Sequence, residues 1–336
     1  MRYRALGTSG LKISELCLGT MMFGGPCPEA DAQRMAAHAA DHGVNFIDTA
    51  NTYEKGRSEE VVGRAIAARR SHWVLATKLA QPMGTGPNDR GLSRRNMIQA
   101  TEASLRRLGT DWIDISYIHR VDPSVPWTEV ARTFGDLIQS GKIRYWGLSN
   151  VRAWHIPVIV GACREAGVPP PVVLQPYYNI MTRMPEVELL PAARACQLGV
   201  AIYSPLARGI LSGKYQPGSN APPDTRAGRN DRRMMQTEWR PESLAIAQRL
   251  KEHAASKGQS LVGLAVAWAL NNQAVTAVIA GPRTFEQWQS YWAALDYPFS
   301  KEDEALVDSL VPPGHPSTPG YTDPEYPVEG RFPRLA

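Results

Sequence analysis

Residues 45–63, NFIDTANTYEKGRSEEVVG, decide how this chain is read. A short apolar strand (Asn45, Phe46, Ile47) runs into an acid, Asp48, and then into a polar loop that carries Tyr53. Ser58 is placed to open a helix, and Glu59 and Glu60 in its first turn suit the positive helix terminus. Val61, Val62, Ala65 and Ile66 recur at helical spacing and give that helix a face to bury. Two readings of the stretch stand side by side. Either Asp48 caps a turn and Tyr53 is a half-buried aromatic, or the two meet at the carboxyl end of a strand, where enzymes built on βα scaffolds place their chemistry.

Working outward, strands and helices alternate. Residues 3–14 have the turn chemistry of a hairpin, and 16–19 form an apolar strand ending at Thr20 and Met21. An Ala-rich helix over 29–41 is closed by Gly43. Downstream, strands are expected at 73–77, 113–118, 143–148, 172–174, 200–202 and 275–279. Helices fall at 93–108, capped by Ser93 and stopped by Gly109, and at 127–140, 154–166 and 186–198. Two helix pairs follow, 242–257 with 260–271 and 284–294 with 301–311. A Gly/Pro/Arg-rich stretch, 206–241, reads as a long loop, and 312–336 as an irregular Pro-rich tail. The alternation predicts one α/β domain over 1–336, a single (β/α)8 TIM barrel with an N-terminal β-hairpin and extra helices outside the barrel. A doubly wound sheet fits less well, because no Gly-x-Gly-x-x-Gly follows the first strand.

Composition bounds the function. The chain has 336 residues, 43% of them hydrophobic and 21% charged, an ordinary globular balance. Four cysteines, at 17, 27, 163 and 196, have neither metal-ligand spacing nor disulfide density, which suits a reducing compartment. No signal-like or membrane-spanning apolar run is present, so a cytoplasmic protein without membrane insertion is expected. The net charge of +5 comes from scattered basic pairs and not from a patch interleaved with aromatics, which argues against nucleic acid. Oligomeric state stays open, a homo-oligomer included.

In a barrel the strand ends converge on one face. Those ends are Asp48, Lys78, His119, Ser149, Asn150, Gln175 and Tyr203, with Tyr53 in the second βα loop. Lys78 would abut Asp48 on the neighbouring strand, and a buried lysine needs such a partner. An ammonium beside a phenol favours the phenolate, which tunes Tyr53 as a proton donor to a developing alkoxide. His119 could orient a carbonyl oxygen or relay the proton. Each of these residues alone is more often structural; a lone histidine is commonly a satisfied core residue and a lone lysine a solvated one. Together on successive strand ends they point to a site. None of the seven histidines forms His-x-His, so a metal-dependent barrel hydrolase lacks its usual ligands and no metal is expected.

Several motifs together resemble the aldo-keto reductase family over nearly the whole chain. LGTSGLKISELCLGTMMFG resembles its opening hairpin and first strand, and FIDTANTY with GRSEEVVGRAI its signature around the aspartate and tyrosine. The Gly-x-Ser-Asn and Gln-x-x-Tyr-Asn patterns fall on 147–150 and 175–179, and SPLARGILSGKY (204–215) is similar to the branch containing potassium-channel β subunits and many bacterial reductases. The resemblance implies a catalytic tetrad of Asp48, Tyr53, Lys78 and His119. It implies NADPH/NADP+, in preference to NADH, extended across the strand ends. Gly19, Thr20 and Met21 would border it. Ser149, Asn150 and Gln175 would hold the carboxamide and Tyr203 would stack on the ring. Ser204, Pro205, Leu206, Gly209, Leu211, Gly213 and Lys214 would take the pyrophosphate. Gly281 and Gln287 would contact the nucleotide, with Lys214, Arg226 and Arg283 candidates for the 2′-phosphate. Met22, Phe23, Tyr53 and His119 would meet a small-molecule carbonyl or alcohol. Trp239, Tyr321, Tyr326 and Phe332 are expected as further pocket aromatics. Two departures stand out. Glu54-Lys55 replaces the glycine that often follows the tyrosine, and Ser290-Tyr291 replaces a Glu-Asn pair that usually grips the adenine, which implies a different hold there. The activity implied is reversible NADPH-dependent reduction of an aldehyde or ketone, Tyr53 giving the proton. The alternative is an NADPH-binding regulatory or sensor subunit with slow turnover.

Overall fold

The structure, a computed structural model, describes residues 1–330; Phe332 lies outside them. Strands β1 (Tyr3–Ala5) and β2 (Lys12–Ser14) pair antiparallel as the expected hairpin. Eight further strands follow: β3 (Leu16–Gly19), β4 (Phe46–Asp48), β5 (Val74–Leu79), β6 (Ile113–Ile118), β7 (Ile143–Ser149), β8 (Val173–Gln175), β9 (Gly199–Tyr203) and β10 (Ala277–Ala280). All pair parallel, in sequence order, and β10 returns to β3 to close the barrel. Their near-continuous apolar runs reflect burial on both faces, which parallel sheets require.

Alternate residues of the strands fill the barrel. Cys17, Phe46, Val74, Ala76, Ile115, Tyr117, Val173, Ala201, Ala277 and Ile279 form one buried cluster with Leu6 and Ile13 of the hairpin. Burying side chains such as Leu6 and Ile13 contributes roughly 1.5–3 kcal/mol each, so the hairpin acts as a plug. The plug seats by backbone contact: a Cβ on Gly7 would lie 2.3 Å from the Val172 carbonyl oxygen, so only glycine fits.

The chain forms two compact units. The first comprises Met1–Tyr177, Pro185–Ser204 and Leu270–Ala293, and contains the hairpin and every barrel strand. Its helices are α1 (Glu29–Asp41), α2 (Arg57–Ile66), α3 (Arg94–Leu108), α4 (Trp127–Gln139), α5 (His155–Ala166), α6 (Leu189–Ala195) and, after an intervening stretch of the second unit, α10 (Phe285–Ala293). Ser93 caps α3 by accepting from the Asn96 amide, and Gly109, at φ 61°, ends it. The expected opening of the second barrel helix differs. α2 begins at Arg57 after Gly56, and Ser58 is no cap, because its hydroxyl is committed elsewhere.

The second unit comprises Tyr178–Met184, Pro205–Ala269 and the chain from Ala294 onward. It holds α7 (Arg232–Thr237), α8 (Pro241–Ser256), most of α9 (Leu261–Asn271) and α11 (Lys301–Leu310). The stretch 206–241 is thus not all loop. A 3-10 turn covers Ala207–Ser212, and Asp231 caps α7 by accepting from the Met234 amide. Residues 312–330 carry no helix or strand but are tied down within their unit. Arg240 donates to Ser317 and Thr318 and stacks on Tyr321, while Arg233 pairs bidentately with Asp323. Beside these contacts Glu238 is fully buried, and neither carboxylate oxygen has a hydrogen-bond partner. Burial pushes its pKa up to about 8, against the pull of Arg240. No helix among the described residues is long and apolar enough to cross a membrane.

Candidate active site

Adjacent strands β4 and β5 bring Asp48 and Lys78 together inside the first unit. The buried Lys78 ammonium donates to Asp48 Oδ1 at 2.5 Å, to the Thr49 carbonyl at 2.7 Å and to Tyr53 Oη at 3.2 Å. Its three protons therefore have three acceptors, which is the complete set an ammonium can use. Burial pulls the Lys78 pKa down, but Asp48 and then Tyr53 outweigh it and hold the group above its ordinary value. Asp48 Oδ2 accepts from Gln175 Nε2 at 2.9 Å, so the acid is fixed from two sides. Its role is to anchor the lysine.

His119 follows β6 and presents its ring edge-on to Tyr53, with centroids 5.9 Å apart. Its Nδ1 is buried without a hydrogen-bond partner. Burial, with a further push from Lys78, lowers its pKa to about 3, so the ring is neutral near neutrality. The ends of β7, β8 and β9 form a second polar group. Ser149 Oγ donates to the Gln175 carbonyl, and Asn150 Nδ2 to the His119 carbonyl at 2.9 Å. Tyr203 Oη donates to Asn150 Oδ1 at 2.7 Å, which fixes a half-exposed ring beside Tyr177. Asn150 sits at φ 56°, a left-handed conformation that asparagine tolerates, and this turns its amide back across the strand ends. An amide, a hydroxyl and a fixed aromatic face side by side fit a nicotinamide carboxamide and ring.

Other expected residues are placed as follows. Thr20 is buried, with its hydroxyl donating to the Asp48 carbonyl, while Gly19 packs against Ala280 of β10. Met21 is exposed, Met22 half-buried and Phe23 wholly buried. Gly281 has open space around it, and Gln287 Oε1 accepts from the Arg283 amide at the start of α10. Ser290 bonds back to the Gln287 carbonyl and Tyr291 is buried. In the second unit, Pro205, Leu206 and Leu211 are buried, and the turn around Gly209 is left-handed at Arg208 and Gly209. The Gly213 carbonyl accepts from Lys251, Lys214 is exposed and Arg226 half-buried. Trp239 packs edge-on against Tyr215, and Tyr321 lies under Arg240.

Three contacts were not legible in the sequence. The Thr49 carbonyl is a ligand of Lys78, and only its position directly after Asp48 hints at this. Ser58 Oγ donates to the Thr20 carbonyl at 2.7 Å and lies 2.9 Å from Thr49 Oγ1. Glu59, read as a partner for the helix terminus, instead turns inward. It is wholly buried, accepting from Thr77 Oγ1 at 2.6 Å and from Arg107 Nε at 2.7 Å.

A sequence profile of the aldo/keto reductase family matches residues 15–312. A probable voltage-gated potassium channel subunit beta of Arabidopsis thaliana is 39% identical over 302 residues, covering 88% of this chain and 92% of that protein. The uncharacterized oxidoreductase YrpG of Bacillus subtilis is 36% identical over 335 residues, covering 96% and 99%. A putative voltage-gated potassium channel subunit beta of Schizosaccharomyces pombe is 37% identical over 320 residues, covering 92% and 90%.

Proposed function

The chain belongs to the aldo/keto reductase family, and we propose that it is an NADPH-dependent oxidoreductase that reversibly reduces an aldehyde or ketone to an alcohol, with Tyr53 as the proton donor. The observation that carries this reading is the Lys78 ammonium bridging Asp48 and Tyr53 at 2.5 and 3.2 Å. A fixed positive charge at that distance stabilises the phenolate left once the proton is given up. Asp48 and the Thr49 carbonyl keep the charge in place.

His119 acts in its neutral form. A buried N–H without an acceptor is rarer than a buried lone pair without a donor. The unpartnered Nδ1 therefore favours the tautomer with its proton on Nε2. That N–H orients the carbonyl oxygen, and a pKa of about 3 supports orientation over proton relay. The bound cofactor supplies the hydride. Ser149, Asn150 and Gln175 would hold its carboxamide and Tyr203 would flank its ring, with Gly19, Thr20 and Met21 bordering it. In the second unit the 205–214 segment takes phosphate. Lys214 and Arg226 there, and Arg283 in the first unit, are each candidates for a phosphate, since guanidinium and ammonium groups suit phosphate. Gly281 and Gln287 would border the remaining nucleotide. Half-buried Met22 and buried Phe23 would meet the substrate.

Tyr53→Phe is the test. General-acid catalysis is worth roughly 10²–10⁴-fold, so NADPH oxidation with a panel of aldehydes and ketones should fall by about that factor. Cofactor binding, followed by fluorescence, should stay near wild type. A variant at wild-type rate would sink the assignment. The second reading is an NADPH-binding regulatory or sensor subunit with slow turnover, since the plant and yeast relatives are named as potassium channel subunits beta. Tight NADPH binding without turnover on any carbonyl would favour it.

A further inference from the structure

Tyr53 sits at the start of a strained turn. Glu54 and Lys55 have φ of 48° and 58°, and Gly56 has φ of 96°. Non-glycine residues held in the left-handed region cost about 1–3 kcal/mol each and persist only where the surroundings over-determine them. Here the surroundings are Ser58 and Glu59, both wholly buried, two and three residues past the turn. Ser58 grips the ends of β3 and β4 through the Thr20 carbonyl and Thr49 Oγ1. Thr49 is the residue whose own carbonyl receives a Lys78 proton. Glu59 grips β5 through Thr77, the neighbour of Lys78, and α3 through Arg107, which also donates to Ser104.

A buried carboxylate is an expensive way to pack a helix; an apolar side chain would do it at lower cost. What directional bonds add is fixed position, because apolar contacts slide and these do not. The two residues thus tie the far end of the Tyr53 loop to the same strands that carry Asp48 and Lys78. We propose that Ser58 and Glu59 are positioning residues of the active site, a clasp that holds the strained loop so that the Tyr53 hydroxyl meets the Lys78 ammonium. The inference rests on the reading of Tyr53 as proton donor.

The test uses the full chain loaded with NADPH, and compares Glu59→Gln and Thr77→Val in two backgrounds, wild type and Tyr53→Phe. In the wild-type background we expect kcat to fall about 10–100-fold, the scale of a small misplacement of reacting groups. KM and the cofactor Kd should change less than about threefold, and the tyrosine limb of the pH–rate profile should move upward as the ammonium's hold on it weakens. In the Tyr53→Phe background neither substitution should lower the residual rate further, because nothing remains to be positioned. Glu54→Gly, which removes left-handed strain, should recover part of the kcat lost in Glu59→Gln. Equal losses in both backgrounds, or an unmoved pH limb, would overturn the clasp and leave an ordinary structural contact. If Glu59→Gln does not fold, Thr77→Val deletes the same bond from the other side, and an unchanged kcat there overturns the proposal as well. A Tyr53→Phe variant at wild-type rate would instead overturn the proton-donor reading, so the two failures are separable.

Discussion

His119 gives its residue position a pH signature. Its pKa is about 3 in the folded protein against 6.5 for an ordinary imidazole, with burial the first cause and Lys78 the second. Between those values the unfolded chain binds a proton that the folded chain refuses. Stability therefore rises with pH through this window, is complete above 6.5, and is lost as pH falls toward 3. His119→Asn should flatten that part of the stability curve by on the order of a few kcal/mol, as read by denaturant melts across the acid range. Retention of the wild-type slope would show that another group is responsible. At this scale the sequence was informative where placement follows strand order. The convergence of Asp48, Lys78 and His119 was legible because each stands at a strand end and strand ends converge. Ser58 and Glu59 were misread because their partners, Thr20, Thr77 and Arg107, are distant in sequence. A serine and a glutamate at a helix start look the same whether they cap the helix or turn inward.

Among elements, those bounded by local chemistry came out best. α3 begins and ends where Ser93 and Gly109 place it, since an N-cap bond and a left-handed stop need nothing beyond the neighbouring turn. Ser93→Ala should cost about 1 kcal/mol of stability, the usual worth of such a cap. Urea unfolding would measure it, and a loss near zero would mean that the Arg94 amide's bond to Glu129 suffices. α6 was expected over 186–198 but occupies only Leu189–Ala195, with a separate 3-10 turn at Met184–Glu186. Pro191 lies in its first turn, and Gln197, at φ 57°, has already left the helix. α7 was missed because six residues inside a Gly/Pro/Arg-rich stretch are too few to show a period. Caps announce themselves, whereas short helices set by tertiary contacts do not.

For the whole molecule, the alternation of apolar runs revealed the closed barrel, but not the grouping of 205–269 with the C-terminal residues, which depends on contacts that no pattern encodes. Glu238 in that second unit is a consequence of the grouping. Its folded pKa of about 8 stands above the ordinary 4.5, through burial chiefly, opposed by Arg240 and aided by Asp323. Between these values the folded chain keeps a proton that the unfolded chain releases, so stability falls as pH rises from 4.5 to 8 and levels off above. Glu238→Gln, neutral at every pH, should be more stable than wild type on the alkaline side by on the order of a few kcal/mol. The two should converge in mild acid. Parallel melting curves for the two proteins would rule this out.

The seam of the barrel has a bearing on biosynthesis. Leu16 pairs with Val278 and Leu18 with Ala280, so the first barrel strand acquires its last neighbour from β10, the last strand of the barrel to be made. A polypeptide leaves the ribosome N-terminus first. β3 must therefore wait, with an open hydrogen-bonding edge, until β10 has been translated. Unpaired edges of this kind recruit other strands. Translation that stops short of Ala277 leaves a sheet with two open edges in place of a barrel.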